Sequence, residues 1–417
     1  MTHSASTHTI ESAVAALGPG ELTEARVREH LWPLFSRVLD RRDETGVVYL
    51  ANHSLGRPLN RTAEDVQRAL DHWYRDLDGA WEPWSDAMTR YRAMNARLIG
   101  CAREDAVVHK VSAGQGLRTV LNTIEPKRDR PRVLTTRGEF DACDFILKRY
   151  AAKGRIDLDW VDADEHGRFD ADAIAERVTD AHDLVVVSMV FYATGQHLAE
   201  VQTVIDAAHT HGALVMLDTY HQAGVMPMDF DGSRADFAIG GNYKYTRGGS
   251  GACWLAVRDD HLDDPNLQPI DTGWFAKADH FGFQRDDVAH LAAGGDGWQE
   301  GTPALLCMVQ ALAGLEFTLA VGVDRLRAYN VHQRRLLADA IYSAGGDPIN
   351  GEPRGAFLLM RVEDLAYAID VLRAEAVVAD GRPDSRGIGH VRFCPDLLTT
   401  EEEIDRAAQT IARVCHE

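Results

Sequence analysis

Lys244 is the residue whose surroundings first suggest chemistry. It sits in Ala238-Ile-Gly-Gly-Asn-Tyr-Lys-Tyr-Thr-Arg-Gly-Gly-Ser-Gly251, flanked by Tyr243 and Tyr245. The apolar lead-in Asp236-Phe-Ala-Ile-Gly240 reads as a short strand, and Ala252-Cys-Trp-Leu-Ala-Val257 as a second, with a glycine-rich bend between them. Lysine is scarce, with six against 38 arginines, and the other five lie in ordinary polar contexts. A lysine confined between two strands can have its pKa lowered and attack a carbonyl to form an imine. The plainer alternative is a surface lysine on a turn.

Three further features turn that lysine into part of a set. Asp218 lies 26 residues earlier, at the end of the apolar run Ala213-Leu-Val-Met-Leu217. Ser112-Ala-Gly-Gln-Gly116 joins the strand-like Val107-Val-His-Lys-Val111 to a helix expected over Leu117–Ile124. Small residues at such a junction let backbone N–H groups converge on a phosphate. Phe140 supplies a flat apolar face. Pyridoxal phosphate needs a lysine for its imine, a carboxylate for its ring nitrogen, a phosphate cup and a stacking surface. Lys244, Asp218, Ser112–Gly116 and Phe140 match those needs together. Singly, Asp218 could cap a helix and Phe140 could be core.

The elements that must position this set alternate. Strands are expected at Arg132–Thr136, Ile156–Val161, Leu184–Val190 and Ala213–Leu217, with helices ending at Ala152, around Asp170–Thr179 and over Val201–His211. Leu184-Val-Val-Val-Ser-Met-Val190 is continuously apolar, as in a strand buried on both faces of a parallel sheet. The pattern predicts an α/β domain with a mostly parallel sheet flanked by helices, whose ligands bind beyond the strands' carboxyl ends. Before it, a strand is expected at Gly46–Leu50, a helix from Thr62, a break at Gly79–Trp84 and a helix over Asp86–Leu98. Trp81 and Trp84 read as core. After it come long helices over Ala304–Val321 and Val323–Ala344. Strands at Ala356–Arg361 and Val391–Phe393 and helices over Asp364–Ala374 and Thr400–Val414 form a smaller α+β domain. The expected division is 1–60, an N-terminal segment packing with the small domain, 61–315, the large cofactor-binding domain, and 316–417, the small domain.

Composition narrows the partners. The chain has 417 residues, ordinary globular composition and a formal charge of −20, which argues against nucleic acid or an anionic membrane. An anionic ligand must be held by local cations and N–H groups. Six scattered cysteines without a CxxC pair suggest reduced thiols, not a disulfide frame or a metal site. Neither a signal-peptide pattern nor a membrane-spanning run is evident. The expectation is a soluble, cytoplasmic enzyme with no metal.

Longer motifs sharpen the reading. Tyr192-Ala-Thr-Gly-Gln-His197, Asp218-Thr-Tyr-His-Gln-Ala-Gly224, Tyr243-Lys-Tyr-Thr-Arg-Gly-Gly249, Gly273-Trp-Phe275 and Gly301-Thr-Pro303 resemble kynureninase motifs. Kynureninases belong to the class V aminotransferase group of fold-type I pyridoxal phosphate enzymes. The resemblance runs from about Leu50 to the C-terminus. His53-Ser54-Leu-Gly56, Asp380-Gly-Arg382 and Val391-Arg-Phe393 add matches at either end. It implies that Lys244 forms the imine, Asp218 holds the ring nitrogen, Phe140 stacks on the ring and His221 lies beside it. It places Ser112, Ala113 and Gly114 at the phosphate turn and Ser188 at a cofactor contact. Tyr243 and Trp274 would reach the phosphate, with Thr302 of the partner subunit, because family members are dimers with active sites at the interface. A carboxylate after Phe140 would be Asp141 or Asp144. Arg392 would pair with the substrate's carboxylate, near His53 and Ser54.

The implied reaction is hydrolysis of the Cβ–Cγ bond of L-kynurenine or 3-hydroxykynurenine, giving an anthranilate and L-alanine, with Tyr243 as a proton donor. Four departures from the family's pattern lie around the substrate more than the cofactor: His53 for Asn, Ala113-Gly114 at the phosphate turn's polar pair, Ala276-Lys277 for Gly-His, and Asp396-Leu-Leu398 without an aromatic. They keep open another class V activity on a different amino acid, such as a lyase, decarboxylase, epimerase or aminotransferase. A binding protein that kept only the fold would not need Lys244, Asp218 and Arg392 together.

Overall fold

The structure, a computed structural model, describes residues 9–283 and 285–416. Helices Ile10–Leu17, Glu24–His30 and Ser36–Thr45 lead to a short strand, β1 (Val48–Tyr49). Two long helices follow, Asn60–Asp76 and Trp81–Ile99. The second begins where a break is expected from Gly79 to Trp84. Pro83 falls in its first turn, where a missing N–H removes no hydrogen bond, so the proline starts the helix. Trp81 and Trp84 pack partly buried against the main core.

That core surrounds a seven-stranded sheet: β2 (Val107–Lys110), β3 (Arg132–Thr136), β4 (Asp157–Val161), β5 (Leu184–Ser188), β6 (Leu214–Asp218), β7 (Phe237–Gly241) and β8 (Cys253–Val257). The order is β2-β8-β7-β6-β5-β3-β4, and β8 alone runs against the others. This is the mostly parallel sheet that the alternating strands and helices predict. Every residue of β5 and β7 is buried, as continuous apolar runs require when helices cover both faces. The helix after β2 starts at Ala113, four residues earlier than its apolar spacing suggests. Gly114 and Gly116 blank out that spacing because a Cβ at either would strike Ile146 or Ile239.

The chain then adds β9 (Pro348–Ile349), β10 (Leu358–Arg361), β11 (Val377–Val378), β12 (Asp380–Pro383) and β13 (Gly389–Phe393). A four-stranded antiparallel sheet has the order β12-β13-β10-β9, and β1 pairs in parallel with β11. The helix Leu305–Val321, buried at most positions, packs against Asn60–Asp76 and Trp81–Ile99. Among the described residues, no single helix is long and apolar enough to cross a membrane.

Two glycines from distant parts of the chain grip the lysine turn. A Cβ on Gly56 would overlap the Lys244 carbonyl oxygen, and one on Gly314 would overlap that of Thr246. Gly56 also donates its N–H to the Tyr243 carbonyl at 2.8 Å. Gly314→Ala should therefore cost about 2–3 kcal/mol despite alanine's better helix propensity, because backbone cannot yield as a side chain can. Chemical denaturation and the affinity for pyridoxal phosphate, measured on the same variant, check this; unchanged values would contradict the tight approach.

Candidate active site

Three neighbouring strands end at one place. Ser188, the last residue of β5, pairs with Asp218, the last of β6, and Asp218 pairs with Ile239 of β7. Lys244 follows three residues after β7. Its turn is closed by Gly248 N–H to Asn242 O (2.6 Å) and Arg247 N–H to Lys244 O (3.1 Å). Asn242 is fixed in turn, donating to Asn95 Oδ1 (2.9 Å) and accepting from Tyr91 Oη (2.8 Å). The lysine is thus presented by backbone hydrogen bonds and a buried amide, with little freedom of its own.

The cavity above these strand ends has a volume of about 450 Å³. Lys244 Nζ lies 2.7 Å from His221 Nε2, and His221 Nδ1 lies 3.3 Å from Tyr245 Oη. Burial lowers Lys244 to about 7, with Asp218 opposing the shift and Arg392 adding to it. Burial also pushes His221 well below the usual imidazole range, with Lys244 adding to the effect. A neutral His221 accepts from the lysine at Nε2 and carries its proton on Nδ1. Burial raises Asp218, against the pull of the Tyr220 N–H (2.9 Å) and of Lys244. Its other oxygen has Cys143 Sγ at 3.8 Å. The Phe140 ring lies with its centroid 5.7 Å from Lys244 Nζ and stands edge-on to Tyr192.

Ser112 caps the helix that opens at the same cavity, its hydroxyl accepting from Gln115 N–H at 3.1 Å. The first-turn N–H groups of Ala113 and Gly114 have no acceptor within the helix. The arrangement combines a deprotonatable amine, a buried carboxylate, an aromatic face and a helix N-terminus without acidic residues in its first turn. An aldehyde cofactor carrying a phosphate and a basic ring nitrogen fits these donors and acceptors.

The model of the class-V aminotransferase family ("Aminotransferase class-V") matches residues 64–356. The chain belongs to that family. Its cofactor is pyridoxal phosphate, and it acts on amino-acid substrates. Among curated relatives, the kynureninase of Bacillus thuringiensis subsp. konkukian is 28% identical over 391 residues, 88% of each chain. That of Salinispora tropica is 28% identical over 395 residues, 88% of this chain and 89% of its own. Solved structures with the same fold include a C-DES mutant with glycine covalently linked to its PLP cofactor (TM-score 0.80, 17% identity, 92% of this chain and 99% of that one). The cysteine desulfurase CsdA of Escherichia coli is another (TM-score 0.78, 15% identity, 95% and 99%).

The structure gathers Ser112, Ala113, Gly114, Phe140, Ser188, Asp218, His221, Tyr243 and Lys244 around the one cavity. Other expected residues lie outside it. Asp144 pairs with Lys148 (2.7 Å) along its helix, and Asp141 faces the Tyr192 hydroxyl (3.4 Å). Trp274 donates to Thr302 (3.1 Å) within an aromatic cluster that includes Trp81 and Phe281. Ser54 is exposed. His53 and Arg392 are buried and share Asp380: His53 Nε2 lies 2.8 Å from Oδ1, and Arg392 grips both carboxylate oxygens. Arg392 also donates to the Tyr192 carbonyl, at the cavity wall.

Sequence reasoning passed over Tyr220, Cys143 and Glu139. Tyr220 stacks obliquely on Tyr243 at 5.1 Å and lies in a motif already singled out. Glu139 immediately precedes Phe140, yet reads in sequence as a solvated loop acid.

Because Lys244 loses its proton near pH 7, apoprotein should take up pyridoxal phosphate at a rate that rises through pH 7 and then levels. An ordinary lysine would keep accelerating towards pH 10.5. Stopped-flow absorbance across this range tests the shift, and Lys244→Ala should show no such uptake phase.

Proposed function

We propose that this protein is a kynureninase-like hydrolase, cleaving the Cβ–Cγ bond of L-kynurenine or 3-hydroxykynurenine. The observation that carries the substrate is the match to kynureninases over 88% of the chain, joined to a cavity with Lys244 inside and apolar Phe140, Phe145 and Ile146 along its wall. An aryl side chain suits that wall. In the overall reaction water adds to the Cγ carbonyl, the Cβ–Cγ bond breaks and Cβ takes a proton, yielding an anthranilate and alanine.

Bound pyridoxal phosphate supplies an electron sink for bonds to the amino acid's Cα. Asp218 would hold the ring nitrogen, its ionised form balancing a proton there. Phe140 would face the ring, with Ser188 and His221 beside it. Ala113 and Gly114 offer N–H groups to the phosphate, beside Ser112 and Tyr243. Lys244, whose lowered pKa of about 7 leaves a substantial share of its amine unprotonated at neutral pH, would bind the cofactor and move the Cα proton. Tyr243 stays protonated because burial raises its pKa, so it can deliver a proton to Cβ. Arg392 takes the substrate carboxylate, held in place by Asp380.

The same reading includes a homodimer with active sites at the interface, in which Thr302 of the partner subunit joins Tyr243 and Trp274 at the phosphate. It retains the division into an N-terminal segment 1–60, a cofactor domain 61–315 and a small domain 316–417, and it keeps either Asp141 or Asp144 near the ring once cofactor is bound.

A second reading, another class V activity on a different amino acid, draws support from the substrate side. There His53 stands joined to Asp380, where kynureninases have Asn. Persulfide chemistry at Cys394 is not favoured, since that thiol is buried, bonded to the Ala356 carbonyl and raised far above its ordinary pKa.

Loaded enzyme mixed with either kynurenine should release an anthranilate and alanine in equal amounts, read by mass spectrometry. Lys244→Ala should abolish turnover. Arg392→Gln should lower kcat/KM on the order of 100-fold, about 2.7 kcal/mol, by removing a charge-assisted carboxylate contact. A change in the cofactor's absorbance without cleavage would select the second reading; no change with either substrate would exclude kynurenine.

A further inference from the structure

Glu139 is buried with no place in the chemistry above. It sits in the turn after β3, one residue before Phe140. Its carboxylate accepts from Thr136 Oγ1 (2.6 Å) at the end of β3 and from Ser188 Oγ (2.6 Å) at the end of β5. The Ser188 N–H lies 3.3 Å from Oε1. Ser188 in turn lines the cavity, and its strand partner is Asp218.

A serine hydroxyl has one proton and two lone pairs. While an ionised carboxylate holds that proton, Ser188 can offer its surroundings only a lone pair. Once the carboxyl carries its own proton, it can donate to Ser188, whose proton is then free to point into the cavity. We propose that Glu139 is a positioning residue for the cofactor pocket, setting through its protonation state whether Ser188 meets the bound ring as an acceptor or as a donor. This rests on the reading of Ser188 as a cofactor contact.

The surroundings place the switch in a useful range. Glu139 is pushed up to about 7 by burial, with Asp218 from the end of β6 adding to the rise and the Ser188 and Thr136 hydrogen bonds opposing it. Cys143, on the helix Asp141–Ala152, also faces this group, but its thiol is raised far above its ordinary range and stays neutral. Lys244 acts on Asp218 and favours its ionised form. Below about pH 7 Glu139 is protonated and Ser188 can donate; above it Ser188 accepts.

The test compares loaded wild type, Glu139→Gln, Ser188→Ala and the double variant by titrating the cofactor's visible band from about pH 5.5 to about pH 8.5. A glutamine amide donates to Ser188 at every pH, so Glu139→Gln should displace the titration midpoint by about one unit or more. In the Ser188→Ala background the same substitution should displace nothing, since the effect travels through the hydroxyl. Thermal melting of each apoprotein measures fold damage separately. If Glu139→Gln does not fold, Glu139→Asp keeps the ionisable group and should give a midpoint displaced from wild type but still dependent on Ser188. An unmoved midpoint, or the same displacement without Ser188, would overturn the assignment to Glu139. If Ser188→Ala itself leaves the band and its titration unchanged, the cofactor contact at Ser188 fails first. If it alters them while Glu139→Gln does not, only the role of Glu139 falls.

Discussion

An amine buried at the end of a parallel sheet is the constraint on which the rest of this structure depends. An ammonium at Lys244 loses its hydration and regains little: Asp218 attracts it, His221 accepts one hydrogen bond, and Arg392 repels it. The chain tolerates this because the turn is fixed from outside. Gly56 and Gly314 close on its carbonyls, and Asn242 is bonded to Asn95 and Tyr91 from another helix. Stability lost at the lysine is offset by packing around it, which keeps the amine at a pKa suited to imine formation. Electrostatic strain and rigid backbone belong to one arrangement here.

A second consequence is that ionised groups near the cavity come in locked sets. Arg57 and Arg247 share Asp396, and Arg247 lies in the lysine turn itself. Arg392 pairs with Asp380, and His53, kept neutral because burial lowers it to about 4, hydrogen-bonds the same carboxylate. Both sets tie the segment 53–57 to β12, β13 and the turn that follows. A buried charge with one partner removed is costly, so these triads fix the relative positions of segments more than 300 residues apart in sequence.

How much of this was legible in the sequence depended on the kind of signal. The apolar strands β5, β6 and β7 declared themselves, because burial on both faces leaves no polar residue to break the run. Asp218 and Lys244 followed from where those runs stop. Helix starts were less readable: glycines at Gly114 and Gly116, required by the close approach of Ile146 and Ile239, hide the period of the helix that opens at the cavity. The short polar strand β12 has no apolar pattern at all, and its pairing with β13 is set by backbone hydrogen bonds. Glu139 was illegible for a different reason. A glutamate in a turn ordinarily faces water, and only the convergence of Thr136 and Ser188 from two strands makes burial tolerable.

The net charge of −20 makes an anionic cofactor a problem of local fields, and the structure offers two helix N-termini beside the cavity. They are not equivalent. The helix that begins at Asp141 carries Asp141 and Asp144 in its first turn, so its positive end is already compensated. The helix that begins at Ala113 has no acidic residue there, and glycine at position 114 leaves its N–H open to approach. Only the second can gain from a phosphate without first meeting a carboxylate. The two ends of the cavity therefore differ: an uncompensated helix N-terminus beside Ser112, and the aromatic side chains of Phe140 and Tyr192 at the other helix. The departures from the kynureninase pattern at His53 and after Arg392 lie away from that phosphate end. The cofactor and the class of substrate can thus be shared with distant relatives while the choice of amino acid is set separately.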